Sequence, residues 1–115
     1  MGCPTVVTLW QAFSGSIGPG GGQQVQVIGG SSPVPAGASI AFCRPAVKAG
    51  SIDDNTSVAA TDSSYTEFYS TAWCQVPNLY NETSAFCPIS NNSVYLKNFG
   101  RVNPITVYLA VMGYA

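Results

Sequence analysis

Hydrophobic and polar positions alternate along the C-terminal segment Ile105–Ala115 with the period of two that is typical of a β-strand. Both faces are uncharged and mostly apolar, whereas a surface strand of a monomer should have a polar face. The strand is therefore either central in a sandwich or packed against another copy of the chain. One face consists of Ile105, Val107, Leu109 and Val111, and the other of Thr106, Tyr108, Ala110, Met112 and Tyr114. Packing against a copy predicts an oligomer interface formed by Ile105, Val107, Leu109, Met112 and Tyr114.

Other alternating segments, separated by turns rich in Gly, Pro and Asn, predict further short strands. They are Thr5–Phe13, Gln23–Ile28, Gly37–Arg44, Tyr65–Val76, Ser84–Ile89 and Val94–Phe99. We expect Val94–Phe99 and the final strand to form a hairpin through the loop Gly100–Pro104. Ser51–Ser64 is polar and is expected to be a long loop or a weak strand, and a helix is the alternative for Tyr65–Val76.

These elements predict an all-β fold, a small antiparallel β-sandwich of about six to eight strands. Residues 1–115 have the length of one domain and contain no internal repeat and no linker, so we expect a single domain. The final strand favours a homo-oligomer.

Charged residues make up only 8 % of the chain, against about 25 % in an ordinary soluble protein, and the net charge is −1. Such a chain has no field that would attract nucleic acid or an anionic membrane. No stretch is long and apolar enough to insert into a bilayer, and the N-terminus lacks the features of a signal peptide. A neutral surface rich in Ser, Thr, Asn and Gln suits extracellular and virion proteins, and it suits sugars.

The chain has four cysteines, no histidine and no CxxC motif, so we expect no metal site and no cofactor. Buried thiols that act as small hydrophobic residues are the favoured interpretation. The alternative is a disulfide, for which Cys74 and Cys87 are the best pair because they would close the loop at Pro77–Glu82.

Nucleophilic catalysis of the usual kinds needs a base near neutral pH, for which a chain without histidine has only carboxylates or its two lysines. Two carboxylates could cleave a glycoside, but the neighbouring pair Asp53 and Asp54 is also typical of a turn that runs into Asn55. We therefore expect no enzyme and name no catalytic residue.

A ligand-binding surface is expected in loops at one end of the sandwich, since binding residues gather in loops that a scaffold positions. Tyr80 is an aromatic residue in a neutral polar loop, where it can stack on a sugar, and Asn81 follows it. The turn formed by Asp53, Asp54 and Asn55 can add donors and acceptors for hydroxyl groups. Core packing is the expected role of three other aromatic residues, Trp10, Tyr95 and Tyr108, and Arg101 and Asn103 are expected to be solvated loop tips.

The C-terminal segment Ser93–Ala115 resembles the end of phage tail-fibre C-terminal domains related to H-type lectins. Those domains close with a strand, a short polar loop and a final strand that carries an aromatic residue, small residues and Gly-Tyr. Tyr108, Ala110 and Gly113-Tyr114 occupy those positions here, and Val7–Phe13 resembles the opening strand with its Trp. The sugar-binding residues of the lectins have no counterparts that match one by one. The resemblance implies a trimeric sandwich at a fibre tip, located on the virion or otherwise extracellular, that binds a host-surface glycan or protein.

Three functions follow as hypotheses. The first is a non-catalytic receptor-binding module at the tip of a phage tail fibre. The second is a structural virion part, such as a capsid decoration or a fibre-assembly protein. The third is a secreted lectin or adhesin with disulfide bonds. Sequons for N-glycosylation begin at Asn55, Asn81 and Asn91, and all three are expected in loops.

Overall fold

The computed structural model describes residues 4–53 and 55–115, so Cys3 and Asp54 lie outside the described residues. The described chain is all β and contains no helix, hence none that could cross a bilayer. Its nine strands are β1 (Thr5–Ile17), β2 (Gly22–Gln26), β3 (Ile40–Lys48), β4 (Ser57–Thr61), β5 (Phe68–Trp73), β6 (Asn81–Glu82), β7 (Ala85–Pro88), β8 (Ser93–Asn98) and β9 (Ile105–Tyr114).

The strands form two antiparallel sheets around one hydrophobic core, which confirms the predicted all-β antiparallel fold, with nine strands rather than the expected six to eight. The first sheet has the order β1-β9-β3-β6, with β7 also paired to β3, and the second has the order β2-β8-β4-β5. Buried residues of both sheets, such as Val107 in β9 and Leu96 in β8, belong to the same core cluster. Because every strand pair is antiparallel, each sheet can turn one face to this core and the other to solvent.

The strand β9 has the predicted bounds and lies in the middle of the first sheet, between β1 and β3. Ile105, Val107 and Leu109 are at most 1 % exposed and belong to the core of their own chain. These three residues therefore have no surface left for a contact with another copy, and their assignment to an oligomer interface was wrong.

The other two residues of that predicted interface, Met112 and Tyr114, lie on opposite faces of the sheet because of a bulge at the end of β9. Phe42 pairs with Gly113 and Cys43 with Val111, so Met112 is the extra residue. Met112 lines a shallow groove on the outer face of the sheet, with Phe42 and Phe86. Tyr114 pairs with the fully buried Ala41 and packs against the core. The interface prediction therefore keeps only Met112 on the outer face of the sheet.

The predicted hairpin between the last two strands was wrong, because β8 and β9 belong to different sheets. Strand β8 pairs with β2 and β4, whereas β9 pairs with β1 and β3. The loop after β8 crosses between the sheets, and the buried Asn98 holds it in place. The side chain of Asn98 donates hydrogen bonds to the carbonyls of Ile17 (3.1 Å) and Asn103 (3.0 Å), and it accepts one from the N–H of Gly100 (2.8 Å).

The polar stretch Ser51–Ser64 contains the strand β4, all five residues of which are buried. This strand lies between β8 and β5, so it is central in its sheet. Strand β3 also differs from the prediction, because it continues through Pro45 to Lys48. The segment Tyr65–Val76 contains the strand β5, so the helical alternative was wrong.

The cysteines Cys43, Cys74 and Cys87 are buried free thiols, so the alternative, a bridge between Cys74 and Cys87, is not formed. The pKa of Cys43 is raised by its hydrogen bond with the Cys87 thiol and by burial, and burial also raises the pKa of Cys74. A raised pKa disfavours the reactive thiolate. These three thiols act as small hydrophobic residues, as the sequence predicted.

Candidate ligand-binding site

The predicted site residue Tyr80 lies at a cleft on the outer face of the first sheet. The cleft has a volume of about 270 Å³ and is lined by Ala46, Tyr80, Glu82 and Tyr108. Strand pairing explains how three of these residues meet, because Ala46 of β3 lies directly opposite Glu82 on one side and Tyr108 on the other. Residues directly opposite each other share a face of the sheet, so this transverse row is the base of the cleft.

The small side chain of Ala46 leaves the space that the two tyrosines border. Tyr80 comes from the loop that precedes β6 and is 49 % exposed, whereas Tyr108 is half-buried in the sheet. The cleft therefore offers one exposed aromatic side chain from a loop and one that is held within the sheet. Both rings present apolar surface and a phenolic hydroxyl, the combination that suits a ligand with apolar faces and hydroxyl edges.

Charged groups gather around this cleft although the chain as a whole has few. The Nζ atom of Lys48 lies 4.8 Å from the centroid of the Tyr80 ring, which is within the range of a cation–π contact. The guanidinium of Arg44 forms a salt bridge of 2.5 Å with the Oε1 atom of Glu82. Three of the nine charged residues of the chain thus border one cleft, and they bring ionic donors and acceptors to its rim.

Among the described residues that line the cleft, Glu82 is the one carboxylate, whereas glycoside cleavage uses two carboxyl groups on either side of the scissile bond. The Glu82 carboxylate is also engaged in its salt bridge with Arg44. Two aromatic rings with polar groups at the rim are typical instead of a site that holds a sugar by stacking and hydrogen bonds.

Asn81 belongs to the opposite face of the sheet from the cleft. It pairs with the fully buried Val47, whereas its neighbour Glu82 pairs with Ala46 in the outer row. Alternation along β6 therefore separates Asn81 from the cleft although it follows Tyr80 in sequence. Asn81 lies in a strand, so its sequon is not in a loop as predicted.

The predicted turn at Asp53 and Asn55 is a structural one. The Oδ1 atom of Asp53 accepts hydrogen bonds from the N–H of Asn55 (2.8 Å) and from the hydroxyl of Thr56 (3.2 Å). Its Oδ2 atom accepts a bond of 3.4 Å from the side chain of Asn103. The Asp53 carboxylate thus ties the turn to the loop after β8, and Asp54 lies outside the described residues.

Both predicted groups lie at the same end of the sandwich. Lys48, which contacts the Tyr80 ring, is the last residue of β3, and the Asp53 turn follows β3 along the chain. The N–H of Gly20 donates to the carbonyl of Gly100, which brings the loop after β1 to this end as well. The cleft is thus on the sheet face beside these loops, and no described hydrogen bond joins Tyr80 to the Asp53 turn.

Sequence reasoning missed most of the residues that surround Tyr80. Tyr108 was assigned to the core, but it is on the outer face of β9. One face of β3 carries every second residue, namely Arg44, Ala46 and Lys48. A period-two pattern could have predicted this shared face if the predicted strand had continued past Pro45. Comparisons of the chain with protein-family models, with curated proteins and with solved structures find no match in any of the three.

Proposed function

We propose that the chain is a non-catalytic receptor-binding module at the tip of a phage tail fibre, and that it binds a host-surface glycan in the cleft between Tyr80 and Tyr108. The observation that carries this proposal is the cleft itself, which is lined by two tyrosines and Glu82. Arg44 pairs with Glu82 and Lys48 contacts the Tyr80 ring at its rim, on an otherwise weakly charged chain. The same proposal includes a host-surface protein that presents to the cleft a group with an apolar face and hydroxyl edges.

The resemblance of Ser93–Ala115 to tail-fibre domains related to H-type lectins supports the virion assignment. The low charge supports a neutral ligand, because hydroxyl groups need hydrogen bonds rather than an electrostatic field. A virion location, or otherwise an extracellular one, is part of the proposal. Weak binding at each single site would gain through avidity if several copies were displayed together.

Association with further copies of the chain, as a trimer, is the second part of the proposal. Its support is an apolar row across the outer face of the first sheet, in which Val6 pairs with Gly113, Gly113 with Phe42 and Phe42 with Phe86. Val6 is 83 % exposed and Phe86 is 69 % exposed. The edge strand β1 next to this row contains no charged residue and no proline along its 13 residues. An uncharged edge strand beside exposed apolar side chains is a surface that readily pairs with another chain.

The same row favours a second candidate function, a structural role in virion assembly without ligand binding. A third, a secreted lectin or adhesin with disulfide bonds, requires oxidised cysteines, whereas Cys43, Cys74 and Cys87 are free thiols in the structure. Among these functions, only the receptor-binding module and the lectin require a ligand at the cleft.

A printed glycan array probed with the assembled protein tests the proposed function. We expect binding to a restricted set of glycans that weakens little between about 50 and 500 mM salt, because the proposed ligand carries no charge for salt to screen. Absence of binding to glycans and to host-cell surfaces would favour the structural role.

The oligomer is tested separately by Phe86→Asp, which places a charge in the apolar row, with Val102→Asp as the control. Val102 is 72 % exposed in the loop after β8, so a charge there should be harmless. Sedimentation should show loss of the trimer for Phe86→Asp alone. A wild-type protein that sediments as a monomer at micromolar concentration would refute the trimer.

A further inference from the structure

A second cleft lies on the other sheet, near the end of the sandwich away from the Tyr80 loops. It has a volume of about 400 Å³, and it lies where β2 ends and β8 begins. Its lining consists entirely of side chains that carry an amide or a hydroxyl group and no charge: Gln24, Gln26, Asn91, Asn92 and Ser93. Such a volume falls within the range of about 300–1,000 Å³ that is typical of small-molecule sites.

Two of the amides are fixed by hydrogen bonds that leave their acceptor atoms free. The Nε2 atom of Gln24 donates to the hydroxyl of Ser93 at 3.0 Å, and the Nε2 atom of Gln26 donates to the carbonyl of Ile28 at 2.7 Å. The side-chain oxygens of both glutamines form no hydrogen bond with the described residues. The strand and these bonds thus hold two acceptor oxygens at the cleft.

The other two amides come from a tight turn that holds them in an uncommon conformation. Ser90 and Ser93 exchange both backbone hydrogen bonds, at 2.9 and 3.0 Å, around Asn91 and Asn92. Both asparagines have positive φ, 54° and 58°, which is the geometry of a type I′ turn. Glycine would fill both positions with less strain, and within residues 4–53 and 55–115 neither asparagine amide forms a hydrogen bond. The turn alone therefore does not require these two side chains.

The chemistry of the lining selects the class of ligand. Four amides supply donors and acceptors together, whereas a phosphate or another anion would need a cationic partner that this lining lacks. Hydroxyl groups also donate and accept, so a ligand rich in hydroxyls can satisfy all four amides without charge. The cleft matches a neutral carbohydrate in this respect.

We propose that the cleft of Gln24, Gln26, Asn91 and Asn92 is a second binding site, for a neutral carbohydrate, that acts independently of the Tyr80 cleft. The two clefts lie on different sheets and share no residue. This site does not depend on the proposed receptor-binding function, since it requires only its own lining. One copy of the chain would then contact a glycan surface at two places.

Binding of neutral disaccharides by isotope-labelled protein tests the proposal, with lactose, maltose, N-acetyllactosamine and chitobiose as the probes. We expect at least one of them to shift the side-chain amide NMR signals of Gln24, Gln26, Asn91 and Asn92 in a saturable manner. The variant in which Asn91→Gly and Asn92→Gly are combined keeps the turn and removes both amides. It should bind that disaccharide about tenfold more weakly, with unchanged backbone signals elsewhere.

The variant Tyr80→Ala is the matched control, and it should leave these amide shifts unchanged. If Tyr80→Ala abolishes them, the sugar binds in the Tyr80 cleft and the second site is refuted. The proposal is equally overturned if none of the four disaccharides moves the amide signals, or if the double glycine variant binds like the wild type. Loss of glycan binding by Tyr80→Ala on an array concerns the first cleft alone, so the two proposals fail separately.

Discussion

Removal of the Asn98 side chain should strongly destabilise the crossing between the two sheets. Asn98 is fully buried, and its amide forms three hydrogen bonds, with the backbone of Ile17, Asn103 and Gly100. A typical hydrogen bond contributes about 1 kcal/mol net, and an orphaned buried partner costs about 1–3 kcal/mol. Asn98→Ala should therefore lower the free energy of unfolding by about 3 kcal/mol, a large fraction of the stability of a small domain.

Asn98→Asp should be more harmful at neutral pH than Asn98→Ala. The carboxylate would be buried and would point an oxygen at the carbonyls of Ile17 and Asn103, to which the amide now donates. Burial and these carbonyls should raise the pKa of the introduced acid in the folded state above its unfolded value of about 3.9. Stability should then increase as the pH falls through that raised pKa and level off below about pH 4, because the protonated acid can again donate one bond.

Urea denaturation at pH 7 and at pH 4.5 measures both effects, with Asn55→Ala as the control. Asn55 is exposed, and its side chain forms no hydrogen bond with the described residues, so the control should stay within about 0.5 kcal/mol of the wild type. An Asn98→Ala variant that is equally close to the wild type would refute the assigned role of this amide. An Asn98→Asp variant that gains no stability on acidification, relative to the wild type, would refute the assigned direction of its bonds.

Three further predictions concern other parts of the sandwich. A Cβ atom on Gly22 would lie 2.5 Å from the ring of Tyr65, so Gly22→Ala should lower the melting temperature, whereas Gly18→Ala, which meets open space, should not. The pKa of Asp62 is lowered to about 2 by the N–H of Glu67, the hydroxyl of Ser64 and the N–H of Thr66, so its contribution to stability is present above about pH 3.8 and is lost as the pH falls towards 2. Amide protection factors in the β4–β5 turn, which compare each exchange rate with the intrinsic rate at the same pH, should fall over that interval in the wild type and not in Asp62→Ala. A thiol reagent should modify Cys43, Cys74 and Cys87 slowly in the native protein and rapidly after denaturation. A bridge between any two of them would leave two fewer thiols to be modified.

The final strand shows what a local pattern can and cannot predict. Its bounds follow from the unbroken alternation of Ile105–Tyr114, and one of its two interpretations, a central position, is the observed one. The bulge at Met112 could not be predicted, since it depends on how β1 and β3 pair with the end of the strand. That bulge is what moves Tyr114 to the core side.

The connection between β8 and β9 shows a different limit. A short polar loop between two strands is equally compatible with a hairpin and with a crossing between sheets. The choice depends on distant partners, above all on the contact of Asn98 with Ile17 at the end of β1. The buried, central position of the strand β4 could not be predicted for a related reason, because its small residues become recognisable as core only between β8 and β5.

The candidate site was half predictable. Tyr80 could be selected because an aromatic residue in a neutral polar loop has no core to enter. Tyr108 could not, because both faces of β9 look apolar and only the pairing with β3 decides which of them is outside. The carboxylate of Asp53 likewise looked available for a ligand until its bonds to Thr56 and Asn103 were visible.

The central claim, that a glycan binds between Tyr80 and Tyr108, is tested most directly by comparing Tyr80→Ala with Tyr69→Ala. Tyr69 is 40 % exposed on β5 in the other sheet, so it controls for the loss of an exposed tyrosine. Both variants, folded and assembled, are compared in equilibrium binding to the glycan that the wild type prefers on the array. Tyr80→Ala should lose affinity by at least about tenfold, or about 1.4 kcal/mol, whereas Tyr69→Ala should keep the affinity of the wild type. Equal affinities for Tyr80→Ala and the wild type would contradict the claim.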